Sequence, residues 1–225
     1  GSGRTGRAEM KRAVTVALIL YMFLIVHSQK SEIMEYTEET NGKRTMLTIS
    51  ITTSEDDRII VHKQSENEYY KITNMNTLTT EFSYENKVTG LSYDALRNGY
   101  VIQVTGKDKT KKIIKSFKID DCAWEQSIEL SLAQFVLSAG KDKRFWLVSL
   151  DAERCMKMYA TNKGMEELQI NGKKVNAIKI EVTPDGFFSI FWKAFFWYDQ
   201  NGLYLKSRCS KDFGAPECIT EIYNY

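Results

Sequence analysis

Leu47-Thr48-Ile49-Ser50-Ile51-Thr52 sets an apolar side chain before a hydroxyl one three times over. Successive side chains of an extended chain point to opposite faces, so such a stretch has one face for a core and one for water. Ile178-Lys179-Ile180-Glu181-Val182-Thr183 repeats the pattern far along the chain. Between strand-like segments stand Asn41-Gly42, Asn98-Gly99, Asn171-Gly172, Asp185-Gly186 and Asn201-Gly202. These dipeptides accept the positive φ angles of tight hairpin turns. Only Pro184 and Pro216 interrupt the pattern. The reading is a meander of about ten antiparallel strands.

One stretch follows another period. Ile128, Leu132, Phe135, Val136 and Ala139 recur at helical spacing over Ser127 to Ala139, with Ser127 placed to cap the start and Gly140 to stop the end. A single amphipathic helix midway along a meander has to bury its stripe against the sheet. The expected fold class is therefore mainly β (α+β), a curved antiparallel sheet forming an open half-barrel around one central helix.

The N-terminal residues read as an address. Lys11 and Arg12 precede the fourteen uncharged residues Ala13 to Val26, and Val26 and Ser28 fall at the −3 and −1 positions of a cleavage site. Residues 1–28 are thus expected to be a leader, with Gly1 to Glu9 lying ahead of the initiator-like Met10, and residues 29–225 a single domain. The apolar run is short of the roughly 20 residues of a membrane span, which places the domain in the periplasm or outside the cell.

The full chain of 225 residues has a formal net charge of +2, but residues 29–225 hold 27 basic and 28 acidic side chains. That balance argues against nucleic acid as a partner, because phosphate binding leans on clustered excess Lys and Arg. Cys122, Cys155, Cys209 and Cys218 all lie after the leader, where an oxidising compartment permits bridges. Of three connectivities, the short loop between Cys209 and Cys218 favours pairing these two, leaving Cys122 with Cys155. A lysine-rich hairpin, Lys107 to Lys118, reads as a solvated edge rather than an anionic-lipid patch.

Chemistry-bearing motifs are scarce. His62 is the one histidine beyond residue 28; a Ser-His-Asp or Cys-His arrangement built on it has no motif behind it, and no Cys-x-x-Cys or His-x-x-x-His metal spacing can be drawn. Asp56-Asp57, Asp120-Asp121 and Glu166-Glu167 sit beside expected turns, where adjacent acids ordinarily keep a loop wet. No enzyme activity and no cofactor are expected.

The unusual stretch is Phe187 to Tyr198, FFSIFWKAFFWY, apolar on both parities. A half-wet strand is not written this way. One face has to meet the helix, and the other a loop, a partner or a ligand. Leu132, Phe135 and Val136 on the helix, with Phe188, Ile190, Trp192 and Phe196, are the expected lining of an apolar groove. Trp124, Phe145 and Trp146 are placed to complete its wall, with Phe145 and Trp146 equally suited to be ordinary core anchors.

From Ser127 onward the chain also carries Gly164-Met165-Glu166-Glu167-Leu168, Asn176 to Glu181, and Ala194-Phe-Phe-Trp-Tyr-Asp-Gln-Asn-Gly-Leu-Tyr-Leu-Lys-Ser207. This half of the sequence resembles an exported bacterial half-barrel domain of unknown function, distantly similar to the periplasmic lipoprotein carriers of the LolA/LolB type. The resemblance implies a curved sheet around helices with an apolar hollow, which in the carriers holds acyl chains. Trp197, Asp199, Gly202, Leu203 and Lys206 match the strand-turn-strand signature and mark fold, not ligand contact. The carriers bring additional lid helices, and four cysteines are not part of their pattern. The expected function is an exported, non-enzymatic binding protein for an acyl chain or other apolar ligand. The rival is a cell-envelope module whose aromatic strand docks another protein. A third reading, an outer-membrane barrel ending in Tyr225, conflicts with Glu221 interrupting the last alternation.

Overall fold

The computed structural model describes residues 30–54, 58–75, 78–186, 189, 192–210 and 215–225. The leader, Asp56-Asp57, Phe188 and Ile190 lie outside them. The first eight strands are β1 (Lys30–Thr40), β2 (Lys43–Thr53), β3 (Arg58–Gln64), β4 (Glu68–Met75), β5 (Leu78–Asn86), β6 (Leu91–Asn98), β7 (Val101–Lys107) and β8 (Lys112–Lys118). A two-residue strand β9 (Ala123–Trp124) and helix α1 (Ile128–Leu137) follow. The chain then returns to strands as β10 (Asp142–Val148), β11 (Cys155–Ile170), β12 (Lys173–Pro184), β13 (Ala194–Tyr198), β14 (Tyr204–Ser210) and β15 (Glu217–Ile222). The meander is as expected, but it has fifteen strands rather than about ten.

All fifteen belong to one sheet, in the order β8-β7-β6-β5-β4-β3-β2-β1-β15-β14-β13-β12-β11-β10-β9. Every neighbouring pair is antiparallel except the short parallel contact of β9 with β10. The edge strands β8 and β9 are consecutive in sequence, separated only by Ile119 to Cys122. Laid flat, the sheet would hold its edges on the order of 65 Å apart, whereas five Cα steps reach at most about 18 Å. The sheet therefore has to curl until its edges face each other.

No ladder joins those edges, so the sheet stays open, and side chains bridge the gap. Arg97 Nη1 donates to the Cys122 carbonyl (3.2 Å), the Gln126 amide donates to Thr79 Oγ1 (2.9 Å) and Tyr93 OH donates to the Ser149 carbonyl (3.1 Å). Lys115 of the edge strand pairs with Glu153. The lysines of this hairpin thus serve an edge, as its sequence suggested.

The turn chemistry follows the sequence. Asn41-Gly42 and Asn171-Gly172 both have positive φ at each residue (52° and 74°, 51° and 76°), the conformation of the two-residue hairpin. Inward side chains form one continuous core, in which Tyr36, Phe82, Trp124, Phe145 and Tyr198 are fully buried. Burial of each stabilises the fold by about 2–3 kcal/mol.

Helix α1 lies within the curl, and both sides of the sheet hold its first turn. Tyr198 OH on β13 donates to the Ile128 carbonyl (3.0 Å), and Lys63 on β3 pairs with Glu129 (2.5 Å). Ser127 does not cap the helix through its side chain; its Oγ accepts from Asn74 Nδ2 of β4 (2.9 Å). The C-terminus also differs from expectation. The Ala139 amide donates to the Val136 carbonyl and the Gly140 amide to the Phe135 carbonyl, closing a Schellman turn with Ala139, not a glycine, at φ +51°. Gly140 is needed for another reason: a Cβ there would lie 2.5 Å from the Phe135 ring. Among the described residues no helix is long and apolar enough to cross a membrane.

Ala139→Gly relieves the left-handed strain and is expected to raise stability by about 1 kcal/mol in urea unfolding. Gly140→Ala drives a methyl group into Phe135 and is expected to lower it by about 1–3 kcal/mol.

Candidate functional site

A cavity of about 190 Å³ opens between the two halves of the curled sheet, at the first turn of α1. One side is apolar: Leu147 and Val148 from β10, Met156 and Met158 from β11, and Ala194 and Phe196 from β13, with Trp192 just before that strand. From the other half of the sheet Glu38 of β1, Leu47 of β2, Lys63 of β3, and Glu68 and Tyr70 of β4 also line it. Ile128 and Glu129 of the helix and the preceding Gln126 also line it. Cys209, Cys218, Ser207 and Thr220 reach it from β14 and β15.

The polar groups of the lining are held by bonds within the chain. Lys63 Nζ meets Glu129 Oε1 at 2.5 Å and stands 5.2 Å from the centre of the Tyr70 ring. Glu68 accepts from Tyr70 OH (3.1 Å), Tyr84 OH (2.9 Å) and Asn86 Nδ2 (3.1 Å). Burial, followed by the charge of Glu68, pushes the Tyr70 phenol well above its ordinary range. Gln126 accepts from Trp124 Nε1 (2.9 Å) and donates to the Val148 carbonyl (2.8 Å), fixing β9 to β10. Trp192 Nε1 donates to the Ser210 carbonyl (3.0 Å) and holds its ring at the cavity.

Trp192 and Phe196 stand where the sequence placed them, on the cavity. Leu132, Phe135 and Val136 do not line it: they are buried core, on turns of α1 beyond the first, packed against the sheet. The helix offers Ile128 and Glu129 instead. Trp124 and Phe145 are fully buried core, and Trp146 donates from Nε1 to Asp120 (2.7 Å) away from the cavity. The aromatic stretch is not one long strand. Strand β13 has five residues, and its outward Phe195 and Trp197 are roofed by Lys179, 4.9 and 5.3 Å from the two ring centres, while Trp197 Nε1 donates to Glu166 (2.7 Å). The described part of the second apolar face, Phe195 and Trp197, is covered by the chain itself.

The four cysteines are free thiols. Cys209 and Cys218 stand opposite each other in the β14–β15 register. The Cys122–Cys155 pairing fails on topology, because Cys122 precedes β9 and Cys155 opens β11, and β10 runs between those two strands. His62 is half-buried, with Nδ1 at 2.6 Å from Tyr69 OH; burial first, then Lys71, lowers its pKa. Glu166 is spent on Trp197 and Lys179, and Glu167 pairs with Lys174. Asp120, Asp121 and Cys122 have ligand atoms within 4.8 Å of one another. Asp120, however, pairs with Lys157 and accepts from Trp146, which holds its carboxyl far below the usual range.

Sequence reading missed Glu38, Lys63, Glu68 and Tyr70. The signal was present as parity: Lys63 follows Val61, Glu38 follows Tyr36, and Glu68 precedes Tyr70 and Ile72, each on the inward phase of its strand. A charge on an inward phase near a strand end marks the mouth of a hollow.

With this geometry in view, comparison with solved structures gives a fold. A beta-barrel-like protein of domain of unknown function DUF1849 from Brucella abortus superposes with a TM-score of 0.57 at 14% identity, covering 85% of this chain and 94% of that one. The chain shares that barrel-like fold. The half-barrel likeness drawn from the C-terminal sequence is thereby borne out at the level of fold. The hypothetical lipoprotein YmcC from Escherichia coli (K12) matches at a TM-score of 0.41 and 16% identity, over 86% of each chain. A DUF1329 family protein from Desulfovibrio piger matches at 0.30 and 9%, over 92% of this chain and 89% of that one. No protein-family model and no curated protein sequence matches.

Behind the helix, Glu125 is fully buried. Its carboxylate meets the Lys143 ammonium, but in a geometry that leaves both oxygens without a well-directed hydrogen bond. Burial, outweighing Lys143, raises its pKa. An acid whose pKa is raised on folding adds stability below its unfolded value and loses it as pH rises through the folded value. Asp120, Asp108, Asp151 and Glu153 are shifted down and give the opposite slope. The difference between parent and Glu125→Gln isolates the one group: urea unfolding from pH 4 to 8 is expected to show the variant gaining on the parent as pH rises.

Proposed function

We propose that this is an exported, non-enzymatic binding protein that holds an acyl chain or similar apolar group in the cavity of its half-barrel. The observation that carries the reading is the apolar side of that cavity, where Met156, Met158, Leu147, Phe196 and Trp192 meet without filling the space between them. Methionine suits such a surface, because its unbranched, polarizable side chain adapts to varied partners. An apolar hollow of about 150 Å³ already accommodates benzene, so 190 Å³ takes a segment of about six or seven carbons. Burying six methylenes provides about 5 kcal/mol before entropic costs. A longer chain would extend through the mouth.

Export rests on Lys11-Arg12 and the apolar run Ala13 to Val26. The mechanism calls for no cofactor, and the charge balance beyond residue 28 gives nucleic acid no purchase. The rival reading, a docking module, drew on the two-sided aromatic strand; with Trp197 only 6% exposed beneath Lys179 and Glu166, the described part of that feature has a partner within the chain.

The test is binding of the neutral apolar fluorophore N-phenyl-1-naphthylamine to protein purified without detergent. Saturable binding at one site per chain is expected. Ala194→Leu, which grows a fully buried lining residue into the space, is expected to weaken it at least about tenfold while circular dichroism is unchanged. Binding that is absent, or indifferent to that substitution, overturns the reading.

A further inference from the structure

We propose that the adjoining turns after β5 and β7 form a docking surface for an anionic lipid bilayer, at the end of the half-barrel where the cavity opens. The turn after β5 carries Lys87, and the hairpin of β7 and β8 carries Lys107, Lys109, Lys111 and Lys112 within six residues. All five are exposed. Protection of a sheet edge accounts for only part of this charge. The edge strand is β8, and Lys115 on it and Lys111 just before it pair with Glu153 across the open seam. Lys87 and Lys107 stand elsewhere, on the turn after β5 and on β7, a strand with partners on both sides. Lys107 and Lys112 are register partners, and like charges directly opposite each other weaken a strand pair. Among the described residues, neither of these two, nor Lys87, has a carboxylate within ion-pair distance.

The two turns are built as one unit. Lys109 Nζ donates to the Val88 carbonyl (2.9 Å), and its stem lies so close to Gly90 that a Cβ there would stand 2.7 Å from Lys109 Cγ. Asn86 Oδ1 accepts from the Val88 and Thr89 amides (3.0 and 2.9 Å), and Asp108 Oδ1 from the Thr110 and Lys111 amides (2.6 and 2.8 Å). Asp108 is the one carboxylate of the two turns, and it is turned to its own backbone. On the outer face, Ser92 of β6 separates Glu85 from Lys107, and Asp94 accepts from Ser83 Oγ (2.6 Å). Val88, among the lysines, is 61% exposed. Ammonium groups beside an exposed apolar side chain suit a bilayer, whose anionic headgroups overlie an apolar layer.

The place of the surface matters as much as its charge. Connections of an antiparallel meander alternate between its two ends, so the turns after β1, β3, β5 and β7 share one end. The cavity lies at that end, lined by Glu38 near the close of β1, Ser65 just after β3 and Glu68 opening β4. Ser149, also on the lining, accepts from Tyr93 OH of β6, and Glu153 of the same loop is the partner of Lys111. A bilayer that meets the lysines therefore faces the rim of the cavity. The docking surface itself stands on the two turns and holds whatever the cavity carries.

The experiment is flotation of the full chain with phosphatidylcholine vesicles containing about one third phosphatidylglycerol. Residues 1–28 hold cations of their own, so the readout is the difference between variants of the same chain. Lys107→Gln with Lys112→Gln is expected to lower partitioning about tenfold or more, at about fivefold for each lysine near an anionic surface. High salt is expected to erase that difference. The double variant also removes the like-charge pair, so its urea midpoint is expected at or above the parent's. The control, Lys118→Gln with Lys141→Gln, takes the same charge from the close of β8 and from just before β10, the ends of those strands away from the cavity. It is expected to leave partitioning within about twofold of the parent's. Loss confined to the turn variant supports the docking surface. Equal loss in both double variants, or none in the turn variant, overturns it. Capture of poly-glutamate by a chain that ignores the vesicles overturns it in favour of an acidic protein partner.

Discussion

Four residues, Ile119 to Cys122, join the opposite edges of a fifteen-stranded sheet. A link that short cannot be made across a flat sheet, so connectivity itself rolls the sheet into a trough and gives it an inside. Ten helical residues are then asked to fill that inside. They fill one part, where Leu132, Phe135 and Val136 pack, and their first turn is held by Tyr198, Glu129 and Ser127 to three different strands. What the helix leaves open is the cavity. The hollow follows from covalent geometry and the length of one helix.

Much of this architecture is written in local pattern. Two-residue alternation with Asn-Gly turns reveals antiparallel hairpins wherever one face is dry, as in β2 and β12. The number of strands was under-read because several lack that contrast. β1 reads KSEIMEYTEET, and among its described side chains Tyr36 alone is fully buried. A strand flanked on both sides by partners needs little apolar content of its own, and alternation then fades. The helix was legible to within two residues, while the chemistry of its end was not: Ala139 takes the left-handed position, and Gly140, one residue on, clears the Phe135 ring.

The site was legible in part. Trp192 and Phe196 were found because they belong to an aromatic run too dense for an ordinary strand. Leu132, Phe135 and Val136 were misplaced because amphipathic spacing tells that a face is buried, not whether it meets packed atoms or space. The polar side escaped because Lys63, Glu68 and Glu38 are charges on inward phases, informative only once the neighbouring strands are known. The double apolar face of β13 misled for a physical reason as well. The aliphatic stem and ammonium of Lys179 cover aromatic rings as well as an apolar side chain would.

The seam between β1 and β15 has a bearing on how the molecule assembles. Strands β1 to β8 and β9 to β15 are two ribbons of sequence neighbours, each able to zip along its own hairpins, and they meet through only five register pairs, Tyr36 with Ile222 to Thr40 with Cys218, against eleven between β1 and β2. Every one of those five contacts spans most of the polypeptide, the costliest kind of loop to close. A chain that completes the first ribbon before the second keeps β1 half-partnered, with an exposed row of amides, until β15 docks on it.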